Sequence, residues 1–176
     1  MRAGSKVLRI TNIIVPMICV AGMFLSVYAY HVETNVHSDP TFKALCDFSE
    51  HMSCSKVFSS KYGTGLGIVG RLLGKDSFIN QPNSVYGMIF YTLQSLLAFK
   101  SSYKLALVQF MNSILAMGSC VYLAYILLFI LEDFCVVCVS TYVVNIVITI
   151  CSYLKLRALS EMEATKKQKN ASKKAS

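Results

Sequence analysis

Glu132-Asp133-Phe134-Cys135-Val136-Val137-Cys138 interrupts the longest apolar region of the chain. Leu105 to Leu131 leads into the two acids with twenty-seven residues free of formal charge, and Phe134 to Leu154 continues beyond them for twenty-one. Each run is long enough to cross a bilayer as a helix, the first with tilt or overhang. The acids then mark a tight turn between two spans, with Asp133 as the expected N-cap of the second. One helical turn sets Cys135 and Cys138 on the same face. Two thiols so placed can close a disulfide, and a thiol near a helix N-terminus has its thiolate favoured by free N–H groups and the helix dipole. A lone C-x-x-C fits half a zinc site or coincidence as well, so the rest of the chain has to supply the context.

Composition points to a membrane. Of 176 residues 55% are hydrophobic, and the mean hydropathy is +0.53. That is too apolar for a soluble domain of this size. Trp is absent, and ten Tyr are available for interfacial positions instead. Upstream, Ile13 to Tyr30 is a charge-free run behind the basic residues Arg2, Lys6 and Arg9. It also resembles a secretory signal, with Val27-Tyr28-Ala29 as a conceivable cleavage site, but it is longer than a usual signal core. Pro16 falls in its first turns, where a helix tolerates proline best. Ser84 to Phe99 is a shorter run of sixteen residues behind the turn-rich Asn80-Gln81-Pro82-Asn83. The reading is an all-α membrane protein: a four-transmembrane-helix bundle with a loop or cap between helices 1 and 2.

That cap covers about residues 31–83 of a membrane domain spanning 1–155, and the basic tail 156–176 is expected to be disordered. The cap is too long for a turn and too polar for a core of its own, so it should fold against the bundle. Its Tyr62-Gly63-Thr64-Gly65-Leu66-Gly67 lacks the Lys-Ser/Thr of a phosphate loop and reads as a flexible or membrane-skimming turn, followed by a short surface helix over Val69–Leu73.

The charges orient the spans. The N-terminus carries three Lys or Arg, the 100–104 turn two and the tail seven, against five in the long loop beside the 132–133 acids. The positive-inside rule puts both termini in the cytosol and the long loop on the extracytoplasmic side. The net charge of +8 is then mostly a tail beside anionic lipid, which argues against nucleic-acid binding. Lys173-Lys174-Ala175-Ser176 resembles a dilysine retrieval signal of endoplasmic reticulum membrane proteins. On this topology the sequon Asn170-Ala171-Ser172 is cytosolic and unused.

Four of the seven cysteines, Cys46, Cys54, Cys135 and Cys138, now share one oxidising side. A loop pair beside a helix-start pair is the layout of a two-step electron relay through mixed disulfides. Cys135 lies nearest the surface; Cys138, one turn deeper, meets lipid-soluble molecules, of which a quinone is the natural acceptor. Tyr142, four residues on, and Asn83 are the polar groups that could orient its ring. Two plainer readings stay open: a structural Cys46–Cys54 disulfide with an inert C-x-x-C, and zinc held by four cysteines. The spacing of Cys46 and Cys54 is not that of a zinc knuckle, and no metal is expected. Cys19, Cys120 and Cys151 read as small apolar helix residues.

These residues carry a resemblance. Over roughly 17–155 the chain resembles the vitamin K epoxide reductases of animals, through Tyr28-Ala29-Tyr30-His31-Val32, Ala44-Leu45-Cys46-Asp47, Ser53-Cys54-Ser55, Val57-Phe58-Ser59-Ser60, Asn80-Gln81-Pro82-Asn83-Ser84 and Phe134-Cys135-Val136-Val137-Cys138 with Thr141-Tyr142. The first and fifth segments look closer to the family's complex subunit 1-like branch. The resemblance implies reduction of vitamin K 2,3-epoxide to the quinone and of quinone to hydroquinone, in the endoplasmic reticulum membrane, with the active site luminal. It implies that Cys138 attacks the substrate, Cys135 resolves it, and Cys54 and Cys46 relay electrons from luminal thioredoxin-fold oxidoreductases. Asn83 and Tyr142 would hold substrate oxygens, and Phe58, Tyr86, Phe90, Leu123, Leu127 and Leu131 would line an apolar pocket that coumarin inhibitors also enter. No permanently bound cofactor is implied; vitamin K is substrate and dithiols supply electrons. Tyr62 departs from the family, which commonly has Trp there. Two other functions compete: a quinone-coupled thiol oxidase driving disulfide formation in luminal proteins, and a non-enzymatic tetraspan scaffold.

Overall fold

The computed structural model describes residues 2–39, 42–49, 52–74 and 76–175. Ser176, which ends the dilysine signal, lies outside them, as does Lys75, one of the five basic residues of the long loop. Six α-helices are described: α1 (Arg2–Ser38), α2 (Cys54–Phe58), α3 (Val69–Leu72), α4 (Asn83–Ala98), α5 (Tyr103–Phe129) and α6 (Val136–Ala175). Among the described residues there is no strand, only isolated bridges between Ser49 and Met52 and between Thr64 and Pro82.

Three helices, over Gly4–Ser38, Tyr103–Phe129 and Val136–Ser172, are long and apolar enough to cross a membrane. At sixteen residues α4 reaches only about 24 Å. Large apolar side chains such as Met17, Phe24, Leu96, Leu115 and Val121 face outward, while Gln94, Gln109, Ser113 and Asn145 are buried. Apolar outside and hydrogen-bonded inside is the arrangement lipid demands. α1 packs along α4 and α6, α5 packs chiefly on α6, and α4 touches α5 little. At the α1–α4 crossing a Cβ on Gly22 would lie 2.5 Å from the Tyr91 ring, and one on Gly87 2.6 Å from Ser26 Oγ. Hydrogen is what lets these two helices approach.

Several boundaries differ from the sequence reading. α1 continues past Tyr30 to Ser38, because Val32 and Glu33 are buried against the bundle instead of entering a polar loop. Pro16 consequently sits inside α1, not in its first turns. α6 begins at Val136, two residues later than expected. It then runs on as helix to Ala175, where a disordered tail was expected. The tail holds no Gly or Pro, is rich in Lys and Ala, and pairs Arg157 with Glu161 at 3.0 Å one turn apart. Lys155, expected to open a solvated tail, is fully buried. Its ammonium donates to the carbonyls of Leu97 at 3.1 Å and Ala98 at 2.8 Å, and so caps the C-terminus of α4.

Candidate active site

The four cysteines singled out by sequence meet at one end of the bundle. Cys46 and Cys54 are joined in a disulfide, with their Cα atoms 5.9 Å apart. Cys54 opens α2, whose cap Ser53 accepts the Lys56 N–H at 3.2 Å. Asp47 holds the loop around this bond: its carboxylate accepts the N–H groups of Ala44 and Ser55, both at 3.0 Å, and the Ser53 hydroxyl at 3.1 Å. Partial burial pushes the Asp47 carboxyl up, but hydrogen bonds from Ser55, Ala44 and Ser53 outweigh it and hold the group below its usual range. The Tyr28 hydroxyl lies 3.6 Å from the Cys46 sulfur. The Asp47 carboxylate sits beside both sulfurs, but sulfurs bonded to each other offer no thiolate to a metal.

Cys135 and Cys138 are free; Cys135 immediately precedes α6 and Cys138 lies in its first turn. Asp133 is not the cap of this helix. Cys135 is: its carbonyl accepts the Val139 N–H at 3.0 Å, and its sulfur accepts the Cys138 N–H at 3.3 Å, the position a serine oxygen would take. Cys135 sits in the turn just before the spanning helix. The Cys138 thiol and the N–H groups of Cys138 and Val137 pull its pKa below the ordinary thiol value, against burial and the charge of Asp133. Its sulfur lies 3.6 Å from that of Cys54. A buried sulfur of lowered proton affinity thus faces one sulfur of a closed disulfide.

On the other side of the C-x-x-C is a cavity of about 480 Å³, the size range of small-molecule sites. Cys138 and Tyr142 line it from α6. Phe58 lines it from α2, Tyr86 and Phe90 from α4, Leu123 and Leu127 from α5, and Leu131 from the turn that follows. Cys135 is not part of the wall, so the two thiols face different surroundings. Among the described residues the Tyr142 hydroxyl makes no hydrogen bond, which leaves it a donor for a ligand. Asn83 is more committed than the sequence suggested. Its Nδ2 donates to the Tyr62 carbonyl at 2.6 Å and its Oδ1 accepts the Leu66 N–H at 2.8 Å. That grip holds Leu66 in a left-handed backbone at φ 56° and leaves one amide hydrogen for the cavity. The Tyr86 hydroxyl is likewise turned away, onto the Ile79 carbonyl.

Sequence reasoning missed three contributors. Glu33, which falls within the cap range 31–83 expected from sequence, is buried in α1 and accepts the hydroxyls of Ser84 at 3.1 Å and Thr64 at 3.5 Å, which pins the cap to α4. Cys120 is more than a small apolar residue: it lines the cavity and accepts the Asn145 amide at 3.1 Å, while Asn145 accepts the Tyr91 hydroxyl at 3.1 Å. The third is Asp133, whose buried carboxylate accepts the Ser53 N–H from across the cap. An acid at the end of an apolar run was the available signal for Glu33 and Asp133; nothing local marks Cys120.

Comparison with known proteins agrees with this geometry. Residues 13–153 match the vitamin K epoxide reductase family. Over 139 residues the chain is 43% identical to vitamin K epoxide reductase complex subunit 1 of Mus musculus, and 41% identical to that of Rattus norvegicus. In each case the match covers 79% of this chain and 86% of the relative. A thiol pair that opens an apolar cavity, inside a matched region that includes all four cysteines, places this chain in the vitamin K epoxide reductase family.

Proposed function

We propose that the chain reduces vitamin K 2,3-epoxide to the quinone, and the quinone to the hydroquinone, through a four-cysteine relay. It sits in the endoplasmic reticulum membrane as a bundle of four spans, α1, α4, α5 and α6, with both termini cytosolic and the cap luminal. The observation that carries the reading is the 3.6 Å approach of the Cys54 and Cys135 sulfurs, which connects a loop disulfide to a dithiol on an apolar cavity. Closed Cys46–Cys54 beside free Cys135 and Cys138 is the state with its electrons on the inner pair, ready for substrate.

Cys138, the thiol on the cavity wall, attacks the substrate ring. Tyr142 donates to the oxygen on which charge develops, and the remaining hydrogen of Asn83 serves the second ring oxygen. Cys135 then attacks the Cys138 sulfur. A Cys135–Cys138 disulfide forms, the carbon–sulfur bond breaks, and its electron pair returns to the ring. Overall one epoxide and two thiols give one quinone, one water and one disulfide. Cys54 next opens the Cys135–Cys138 bond, Cys46 displaces Cys135 from Cys54, and reduced thioredoxin-fold partners in the lumen restore Cys46 and Cys54. The low proton affinity of Cys135 makes it a good leaving group in that displacement. Coumarins compete for the same cavity.

Turnover of vitamin K epoxide by the purified full-length protein with a dithiol tests the proposal. Epoxide consumption that disappears in Cys138→Ala supports it. No consumption, with quinone-dependent oxidation of protein thiols instead, favours a thiol oxidase.

A further inference from the structure

We propose that Asp133 is the positioning residue for the exchange between Cys54 and Cys135: one carboxylate docks the start of α2 onto the turn before α6 and sets the two sulfurs facing each other. The inference rests on the relay reading above.

The Asp133 side chain is completely buried. Its Oδ1 accepts two backbone N–H groups, from Ser53 at 3.1 Å and from Phe134 at 2.9 Å. Ser53 immediately precedes Cys54, and Phe134 immediately precedes Cys135. A single oxygen therefore holds the residue before each reacting sulfur. Its Oδ2 meets the Lys56 ammonium at 3.0 Å, which reaches in from α2. Among the described residues no other hydrogen bond or ion pair joins 52–58 to 130–138, apart from the contact of the two sulfurs themselves. A buried carboxylate is expensive to keep in place of an apolar residue. Here it is also electrostatically unhelpful, since its charge raises the proton affinity of Cys135. What it supplies is geometry. Lys56 offsets the charge, and the Cys138 thiol with two N–H groups keeps Cys135 ionisable.

The groups facing Cys135 are Cys138 on α6, Asp133 in the turn, and Cys54 with Lys56 on α2. Asp47 stands beyond Cys54 and bonds Ser53 and Ser55. In the exchange the Cys46 thiolate attacks the Cys54 sulfur of a Cys54–Cys135 bond. The Cys46–Cys54 bond forms, the Cys54–Cys135 bond breaks, and Cys135 leaves as thiolate and then takes a proton. One disulfide replaces another with no outside oxidant. Once that bond has broken, the two sulfurs rest at the 3.6 Å placement that Asp133 maintains, from which the reverse attack of Cys135 on Cys54 also starts.

The test uses full-length protein in a Cys46→Ser background, where attack of Cys54 on Cys135–Cys138 stops at the Cys54–Cys135 disulfide, quantified by mass spectrometry. Asp133→Ala should lower its yield about tenfold or more, whereas Asp133→Asn, which keeps an oxygen for both N–H groups, should nearly retain it. In protein with Cys46 intact, the Cys135-dependent ultraviolet thiolate absorbance is titrated. Asp133→Asn should shift the profile to lower pH and Lys56→Met to higher pH, opposite movements that a merely structural residue would not produce. Full yield in Asp133→Ala, or thiolate profiles unmoved by both other variants, overturns the inference. Absence of the Cys54–Cys135 disulfide even with Asp133 intact instead removes the relay on which it stands.

Discussion

The two cysteine pairs are held by different means. The Cys46–Cys54 pair, at the start of the short α2, is held by a web of hydrogen bonds that converge on Asp47. The Cys135–Cys138 pair is held by a helix itself, with Cys135 as its cap and Cys138 on its first turn. A web of this kind can loosen locally when the disulfide opens, without disturbing the bundle. A capped helix end keeps its sulfurs in one place and favours the thiolate whichever way exchange runs. In the proposed relay the outer pair would move between partners and the inner pair would hold still beside a substrate.

The largest expected effect breaks the inner pair. Cys138→Ala should reduce vitamin K epoxide turnover to background, because the only thiol of the pair that lines the cavity is lost. Single-turnover assays with purified protein check this. Next, Tyr142→Phe should lower kcat about a hundredfold while thermal stability stays unchanged, since its hydroxyl has no partner to lose. Asn83→Ala should behave in the opposite sense. It abandons the Tyr62 carbonyl and the Leu66 N–H, costs about 1–3 kcal/mol, and raises KM as the cap loosens. Thermal denaturation beside kinetics on both variants separates positioning of the cap from stabilisation of charge.

The smallest effect sharpens the outer half of the comparison. The folded-state pKa of Asp47 lies below its ordinary 3.8, so the web contributes stability fully above that value and loses it as pH falls through the lower folded value. Amide exchange at Ala44 and Ser55 should accelerate in that acid window. Exchange at Val139, bonded to Cys135 rather than to a carboxylate, should not change there. Equal loss of protection at both places would erase the distinction between the pairs.

The sequence was informative wherever composition or spacing alone decides a structure. Charge-free runs marked α4, α5 and the apolar part of α6 to within a few residues, because a membrane helix needs little beyond length and hydropathy. Spacing and the resemblance it exposed singled out the four cysteines, which meet at one end of the bundle, and Tyr142 with the apolar residues that line one cavity. What escaped depends on packing between distant segments. Glu33 looked like a loop acid because its partners lie 31 and 51 residues away. Asp133 looked like a helix cap because the competing N–H, from Ser53, is 80 residues upstream. Lys155 looked solvated because nothing local indicates that the end of α4 lacks a cap. Asn83 lines the cavity, and its grip on Tyr62 and Leu66 needed coordinates.

The central claim is that electrons cross between the pairs through Cys54 and Cys135. Disulfide mapping by mass spectrometry, during stepwise dithiol reduction of fully oxidised full-length protein, tests it directly. A Cys54–Cys135 disulfide should rise as Cys46–Cys54 is opened and fall as free Cys135 and Cys138 accumulate. Reduction of both pairs with no Cys54–Cys135 species at any stage would contradict it.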